Sequence, residues 1–298
     1  MNRSSRSQSR FRRHALPVAL ILTSLVFVGG VLGSNLLHRP PPVDKESLCR
    51  KDVPLEYHTV LVIDATDAFT RDQVARLRAS VSDERAALPK YGKLTLLFVT
   101  PNKPFEPEEI LSLCNPGSGS EADPLLSNPG QIESNWRKKF AEPIDAAVAR
   151  LLSLPTAKRS PILETVTAAT WRYDFDGRIA HRRLRIISDL LQHELGGYSH
   201  YQVGDPWLRF TRTALAKKVD ADLAGVAVRI DYFRRPEAMQ YQNEAHRKFW
   251  ERWFTERGAA SIDFGVAPKV PLTVSKQPTR VAAKPIGGQA PLLVGETK

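Results

Sequence analysis

The chain has 298 residues, of which 42% are hydrophobic and 25% charged, and its formal net charge is +11. That charge is confined to the ends: residues 1–14 hold five arginines and no acid, and residues 266–298 hold five basic residues against one acid. The body between these ends therefore carries only +2, so its composition does not support a basic face that binds nucleic acid.

An uncharged segment at residues 15–37 is the first predicted element. A helix of that length spans about 34 Å, enough to cross a hydrocarbon core of about 30 Å. The arginines before it predict, by the positive-inside rule, a cytoplasmic N-terminus. We therefore predict a single-pass protein of the inner membrane, anchored in the lipid bilayer by residues 15–37, with residues 38–298 extracytoplasmic or periplasmic. The alternative is a cleaved signal peptide, because Gly33 and Ser34 form a small-residue pair near its end.

A proline-rich spacer at residues 38–46 leads into a single predicted domain at residues 47–265. Cys49 and Cys114 are the only cysteines of the chain. An even pair in an extracytoplasmic domain predicts one disulfide, which would contribute on the order of 4 kcal/mol by closing a loop of about 65 residues. The alternative is a pair of buried free thiols.

Alternating apolar runs and amphipathic segments predict an α/β fold with a doubly wound, mostly parallel sheet flanked by helices. The predicted strands are 57–64, 94–99, 183–189, 225–231 and 260–264, with 108–113 either a strand or a helix. The predicted helices are 70–88, 131–154 with a kink at Pro143, 161–171, 207–222 and 236–257. Thr70 is the predicted N-cap of the first of these helices, with Gln73 in the capping-box position. Ser160 is the predicted N-cap of another, followed by Pro161 at its first position.

The remaining segments are predicted to be loops or a tail. Residues 115–130 are rich in turn residues and predict a long loop, and residues 266–298 lack periodicity and predict a disordered tail. An aromatic stripe on the last helix predicts core packing; its members are Phe249, Trp250, Trp253 and Phe254. Two arginine pairs are predicted to be solvated loop charges, namely Arg182 with Arg183 and Arg234 with Arg235.

Acidic and hydroxyl side chains follow two predicted strands. Asp64, Thr66 and Asp67 come at the end of the first strand, and Asp189 ends a later one. The carboxyl ends of parallel strands share one edge of the sheet, where ligands of open α/β sheets bind. This placement predicts a shared site for a divalent cation; the alternative is that each acid caps the following helix or turn.

The order of these parts resembles the von Willebrand factor A (vWFA) domain, whose metal-ion-dependent adhesion site uses Asp-x-Ser-x-Ser, then a loop threonine, then an aspartate. The resemblance covers residues 57–265 and implies a doubly wound, Rossmann-like sheet that holds Mg²⁺ or another divalent cation at its carboxyl edge, often completed by a partner's carboxylate. The residues that match as metal ligands are Asp64, Thr66, Ser160 and Asp189, with Asp67 as a possible auxiliary. Ala68 stands where the second hydroxyl should be, so the site is degenerate.

The predicted function is a membrane-anchored, extracytoplasmic vWFA-like module that binds an unidentified protein partner at this edge. Loops 115–130 and 190–205 would shape the binding surface. The alternatives are a metal-free structural envelope component with a dead site and a metal-dependent hydrolase. No catalytic residue is predicted, because no nucleophile has a base at readable spacing. The His193-Glu194 pair lacks the second histidine of a zinc-protease motif, since Gly197 stands there.

Overall fold

The structure is a computed structural model that describes residues 17, 19–30, 33, 41–123 and 127–265. The predicted cytoplasmic N-terminus and the predicted C-terminal tail lie outside these residues, and the predicted anchor lies only partly within them. Residues 17, 19–30 and 33 are helical. In the described part of the chain no helix has both the length and the apolar character needed to span a bilayer.

One mixed sheet of six strands is the centre of the described body, in the order β3-β2-β1-β4-β5-β6. The strands are β1 (Tyr57–Ile63), β2 (Lys93–Phe98), β3 (Glu108–Cys114), β4 (His181–Ser188), β5 (Val226–Tyr232) and β6 (Ser261–Gly265). β3 is antiparallel to β2, and every other neighbouring pair is parallel. The predicted mostly parallel sheet is therefore confirmed, and the ambiguous segment 108–113 is a strand. Arg182 and Arg183 lie within β4, so they are strand rather than loop residues, as the predicted strand 183–189 already implied for Arg183, whose side chain is 46% exposed.

Seven α-helices of the described body flank this sheet. They are α1 (Arg71–Ala87), α2 (Pro129–Trp136), α3 (Glu142–Leu152), α4 (Ile162–Thr170), α5 (Pro206–Thr211), α6 (Ala214–Lys218) and α7 (Glu244–Glu256). The predicted capping box of Thr70 and Gln73 is confirmed at the start of α1. A 3₁₀ turn at Gly119–Glu121 interrupts the predicted loop 115–130.

Two long predicted helices are shorter and broken in the structure. Segment 207–222 divides into α5 and α6, because the Thr213 side chain accepts from the backbone N–H of Ala216 and starts a new helix. The segment from residue 236 likewise begins with a single 3₁₀ turn at Pro236–Ala238 and becomes α-helical only at α7, where Asn243 accepts from the N–H of His246. Side chains that bond to nearby backbone compete with helix continuation, and the apolar periodicity does not show that competition.

A π-helical turn at Arg137–Ala141 joins α2 to α3. The kink was predicted at Pro143, but the irregularity lies in the turn before it. Proline has no N–H to donate to the carbonyl of Lys139 four residues earlier, and a widened turn is one way for the helix to accommodate the missing bond.

Both faces of the sheet are covered by helices. The predicted aromatic stripe of α7 is confirmed as core: Phe249, Trp250, Trp253 and Phe254 are all buried together with Val60, Val62 and Ile186 of the central strands. Leu61 and Ile63 point to the opposite face and join a second cluster with α1 and α3. The predicted disulfide between Cys49 and Cys114 is present and ties the N-terminal segment to β3.

Candidate functional site

The candidate site lies at the point where the strand order of the sheet reverses. From β1 the sheet extends to β2 and β3 on one side and to β4, β5 and β6 on the other. Ligands of doubly wound sheets bind in the crevice at this switch point, outside the carboxyl ends of the strands. Asp64 directly follows β1, and Asp189 directly follows β4, so both predicted acids lie at the crevice.

Asp64 is buried and its carboxylate accepts four hydrogen bonds. Oδ1 accepts from the backbone N–H of Thr66 at 3.1 Å and from the Thr66 hydroxyl at 2.7 Å. Oδ2 accepts from the hydroxyl of Ser160 at 3.1 Å and from that of Ser188 at 2.9 Å. The structure thus gathers Asp64, Thr66 and Ser160 into one network, and their role as metal ligands stays a prediction.

Ser160 does not cap α4 as predicted. Pro161 occupies the N-cap position and the helix has no side-chain cap, while the Ser160 hydroxyl donates to Asp64. The backbone of Ser160 also exchanges two hydrogen bonds with His193, from Ser160 N–H to the His193 carbonyl at 2.9 Å and in reverse at 3.0 Å. This pairing pins the loop after β4 to the loop before α4, over the edge of the sheet.

Arg235 is the counter-charge of Asp189. One carboxylate oxygen of Asp189 accepts from the N–H of Leu191 at 2.9 Å, and the other is ion-paired with Nε of Arg235. Arg235 is only 7% exposed, so the prediction of a solvated loop charge was wrong for this residue. The physical reason is that β5 ends beside β4 and brings Arg235 to the same edge as the buried acid.

The other guanidinium nitrogens of Arg235 also face this site. Nη1 donates to the backbone carbonyl of Ala68 at 3.1 Å, and Nη2 lies 3.6 Å from a carboxylate oxygen of Asp67, which is about half exposed. Asp67 therefore joins the cluster through Arg235, and Ala68 contributes a backbone oxygen at the position where the vWFA motif has a hydroxyl.

Gln242 fixes the relative position of the two strand ends. Its side-chain carbonyl accepts from the N–H of Arg235 at 2.7 Å. Its side-chain amide donates to the carbonyls of Asp189 at 3.0 Å and Phe233 at 2.8 Å. Since Gln242 is itself buried, the backbones that carry Arg235 and Asp189 are held together independently of the ion pair.

The surroundings of Asp67 and Asp189 raise the pKa of both carboxyl groups. Burial and the neighbouring Asp64 raise the pKa of Asp189, and the Arg235 guanidinium opposes both effects. Burial likewise raises the pKa of Asp67, again opposed by Arg235. A neighbouring carboxylate in a water-poor crevice disfavours the ionised form of Asp189, and the guanidinium reduces this effect without cancelling it, because the pKa of Asp189 stays raised.

The divalent cation implied by the vWFA resemblance does not fit these residues as they are arranged. Protein donors occupy both oxygens of Asp64 and both oxygens of Asp189. In the described residues no group of three or more His, Cys, Asp or Glu side chains is placed to hold a metal ion. A hard cation needs six or more oxygen ligands that are free to face it, and here a guanidinium already faces the acids.

A groove opens beside this network on the same edge. Two cavities of about 390 and 480 Å³ share the lining residues Thr66, Arg159 and Leu195. The smaller one is also lined by Asp67 and Tyr201. Leu195 is 62% exposed and lies on the loop after β4, so an apolar side chain projects beside the polar cluster.

Ser188, Arg235 and Gln242 are members of the cluster that the sequence did not identify. Ser188 immediately precedes Asp189, and its position at the strand end was the available signal. Arg235 lies three residues after β5, and only the adjacency of β5 to β4 reveals its role.

No family model matches the chain, and no curated protein matches it. Among solved structures, it is similar to an aerotolerance-related membrane protein from Bacteroides fragilis NCTC 9343, with 10% identity, a TM-score of 0.34, and coverage of 71% of this chain and 92% of that one. The conserved hypothetical protein BatB from Bacteroides thetaiotaomicron gives 12% identity, a TM-score of 0.33, and coverage of 70% and 91%. A von Willebrand factor type A protein from Catenulispora acidiphila gives 11% identity, a TM-score of 0.32, and coverage of 65% of this chain but only 43% of that one.

Proposed function

We propose that this chain is a vWFA-like binding module that takes a protein partner at the carboxyl edge of its sheet. The observation that carries the proposal is the position of the groove, which opens at the switch point directly beside the Asp64 and Asp189 network. The mixed, helix-flanked sheet fits the vWFA-like α/β fold, and in such sheets this crevice is where ligands bind.

The groove has the character of a protein-binding surface rather than of an enzyme pocket. Leu195 and Tyr201 give it an apolar and aromatic rim, and both side chains are exposed. Arg159 lies at the same rim and is ion-paired with Glu194. Exposed apolar side chains rimmed by polar groups mark interaction sites, and the buried network behind them holds the loops of the rim in one arrangement.

We also propose that the module is displayed outside the inner membrane on its N-terminal anchor. The support is the disulfide between Cys49 and Cys114, because such bonds persist in oxidising compartments outside the cytoplasm. The uncharged segment 15–37 supplies the anchor in this proposal.

Site-specific photocrosslinking in the native host tests partner binding at the groove. A photoreactive residue replaces Leu195 in one strain and Tyr173 in another. Tyr173 is 83% exposed and follows α4, a helix that runs away from the carboxyl edge, so it is the matched control. We expect a discrete crosslinked species from position 195 and none from position 173. No crosslinked species from position 195, or the same species from both positions, would contradict binding at the groove and favour a structural component with a dead site.

A further inference from the structure

We propose that Arg235 supplies, from within the chain, the positive charge that a divalent cation would otherwise bring to the carboxyl edge, so that the site is built to work without metal. This inference does not depend on the proposed partner binding, because the metal dependence of the edge can be measured whether or not a partner at the groove is found.

The contacts of the guanidinium match the place of a cation. Nε is paired with Asp189, the acid that the vWFA resemblance assigns as the last protein ligand. Nη1 binds the carbonyl of Ala68, where the motif lacks its second hydroxyl, and Nη2 faces Asp67 at 3.6 Å. A single planar group therefore pairs with one of the four predicted ligands, Asp189, and also lies against the backbone of Ala68 and the auxiliary acid Asp67.

Arg235 is buried, and hydrogen bonds fix its position. Its side chain is 9% exposed, and the bond from its N–H to Gln242 fixes the backbone that carries it. Gln242 in turn binds the carbonyl of Asp189. The donor and acceptor of the ion pair are thus positioned by one shared side chain.

Electrostatics explains why the site needs this group. Buried acids require a counter-charge, and Asp64 and Asp189 lie in one crevice. An arginine keeps its charge at any physiological pH and donates in a fixed planar geometry. A divalent ion that entered the same crevice would meet a like charge and would have to displace the guanidinium, so the chain does not need a metal and disfavours one.

Thermal unfolding of the full chain in detergent tests the inference. Wild type, Arg235→Ala and the control Arg234→Ala are each melted with Mg²⁺, with Mn²⁺ and with EDTA. We expect wild type and Arg234→Ala to melt at the same temperature in all three conditions. We expect Arg235→Ala to melt roughly 10 °C lower in EDTA, because a buried carboxylate loses its partner. Mg²⁺ or Mn²⁺ should restore part of that loss, since an ion that binds only the folded state raises its stability.

Two results would overturn the inference. One is a wild-type melting temperature that rises with Mg²⁺ or Mn²⁺ and loses that rise in Asp189→Asn, because the metal then binds despite the arginine. The other is an Arg235→Ala variant that has the same melting temperature as Arg234→Ala and shows no change in that temperature with Mg²⁺ or Mn²⁺. If Arg235→Ala does not fold, the double variant Arg235→Ala, Asp189→Asn tests whether the two charges pair. It removes both charges and should fold with no response to metal, and failure of the double variant to fold would contradict the pairing.

Discussion

Arg185 in β4 is buried between two carboxylates, and its removal gives a quantitative test of the fold. Its Nε and Nη2 donate to Asp231 of β5 at 2.7 and 3.3 Å, and its Nη1 donates to Glu84 of α1 at 3.2 Å. All three side chains are at most 2% exposed. Glu84 keeps other donors, from Arg183 and Thr59. Arg185→Met therefore leaves Asp231 as the main uncompensated charge, and we expect a loss of about 3–5 kcal/mol in the free energy of unfolding.

Urea unfolding of the full chain in detergent, followed by tryptophan fluorescence, measures this loss. The matched control is Arg183→Met, which removes a partner of the same Glu84 from a side chain that is 46% exposed; it should cost less than about 1 kcal/mol. The double variant Arg185→Met, Asp231→Leu removes both charges and should regain most of the loss. Two results would refute a buried ion pair as the source of this stability: Arg185→Met costs no more than Arg183→Met, or the double variant is less stable than Arg185→Met alone.

Three further predictions concern stability. Burial raises the pKa of Glu164 to about 7 from its ordinary value of 4.5. Between these two pH values the folded state binds more protons than the unfolded state, so the free energy of unfolding falls as the pH rises. Relative to Glu164→Gln, wild type should lose about 3 kcal/mol across this range, and a difference in urea midpoint that does not change with pH would contradict this. Replacing Cys49 and Cys114 with serine should cost on the order of 4 kcal/mol, and wild type under reducing agent should unfold at the same urea concentration as the variant. Trp253→Ala, at a fully buried position, should cost about 3–5 kcal/mol, whereas Tyr173→Ala at an exposed position should change the urea midpoint little.

Local signals in the sequence predicted much of the sheet and its core. Apolar runs predicted the central strands, and the Thr70 capping box predicted the start of α1, because both depend on residues a few positions apart. The aromatic stripe of α7 was predicted in the same way. The helix breaks at Thr213 and Asn243 were missed, since a capping side chain there competes with an apolar pattern that continues across it.

Some contacts of the candidate site could be predicted from the sequence, and others could not. Asp64 and Asp189 were expected at one edge, because the carboxyl ends of parallel strands meet there. Ser160 was expected both to cap a helix and to share a metal site with Asp64, and its hydroxyl is donated to Asp64, a partner 96 residues earlier in the chain. Arg235 was taken for a solvated charge, because nothing local to Arg234 and Arg235 shows that β5 ends beside β4. Long-range pairings of this kind depend on the strand order, which no local pattern contains.

Anomalous diffraction most directly tests which cation lies at the carboxyl edge. Crystals of the chain grown with MnCl₂ would be measured at the manganese absorption edge. We predict guanidinium density of Arg235 against Asp189, and no anomalous peak between the ends of β1 and β4. A manganese peak at about 2.0–2.6 Å from oxygens of Asp64 or Asp189, with Arg235 turned away, would contradict it.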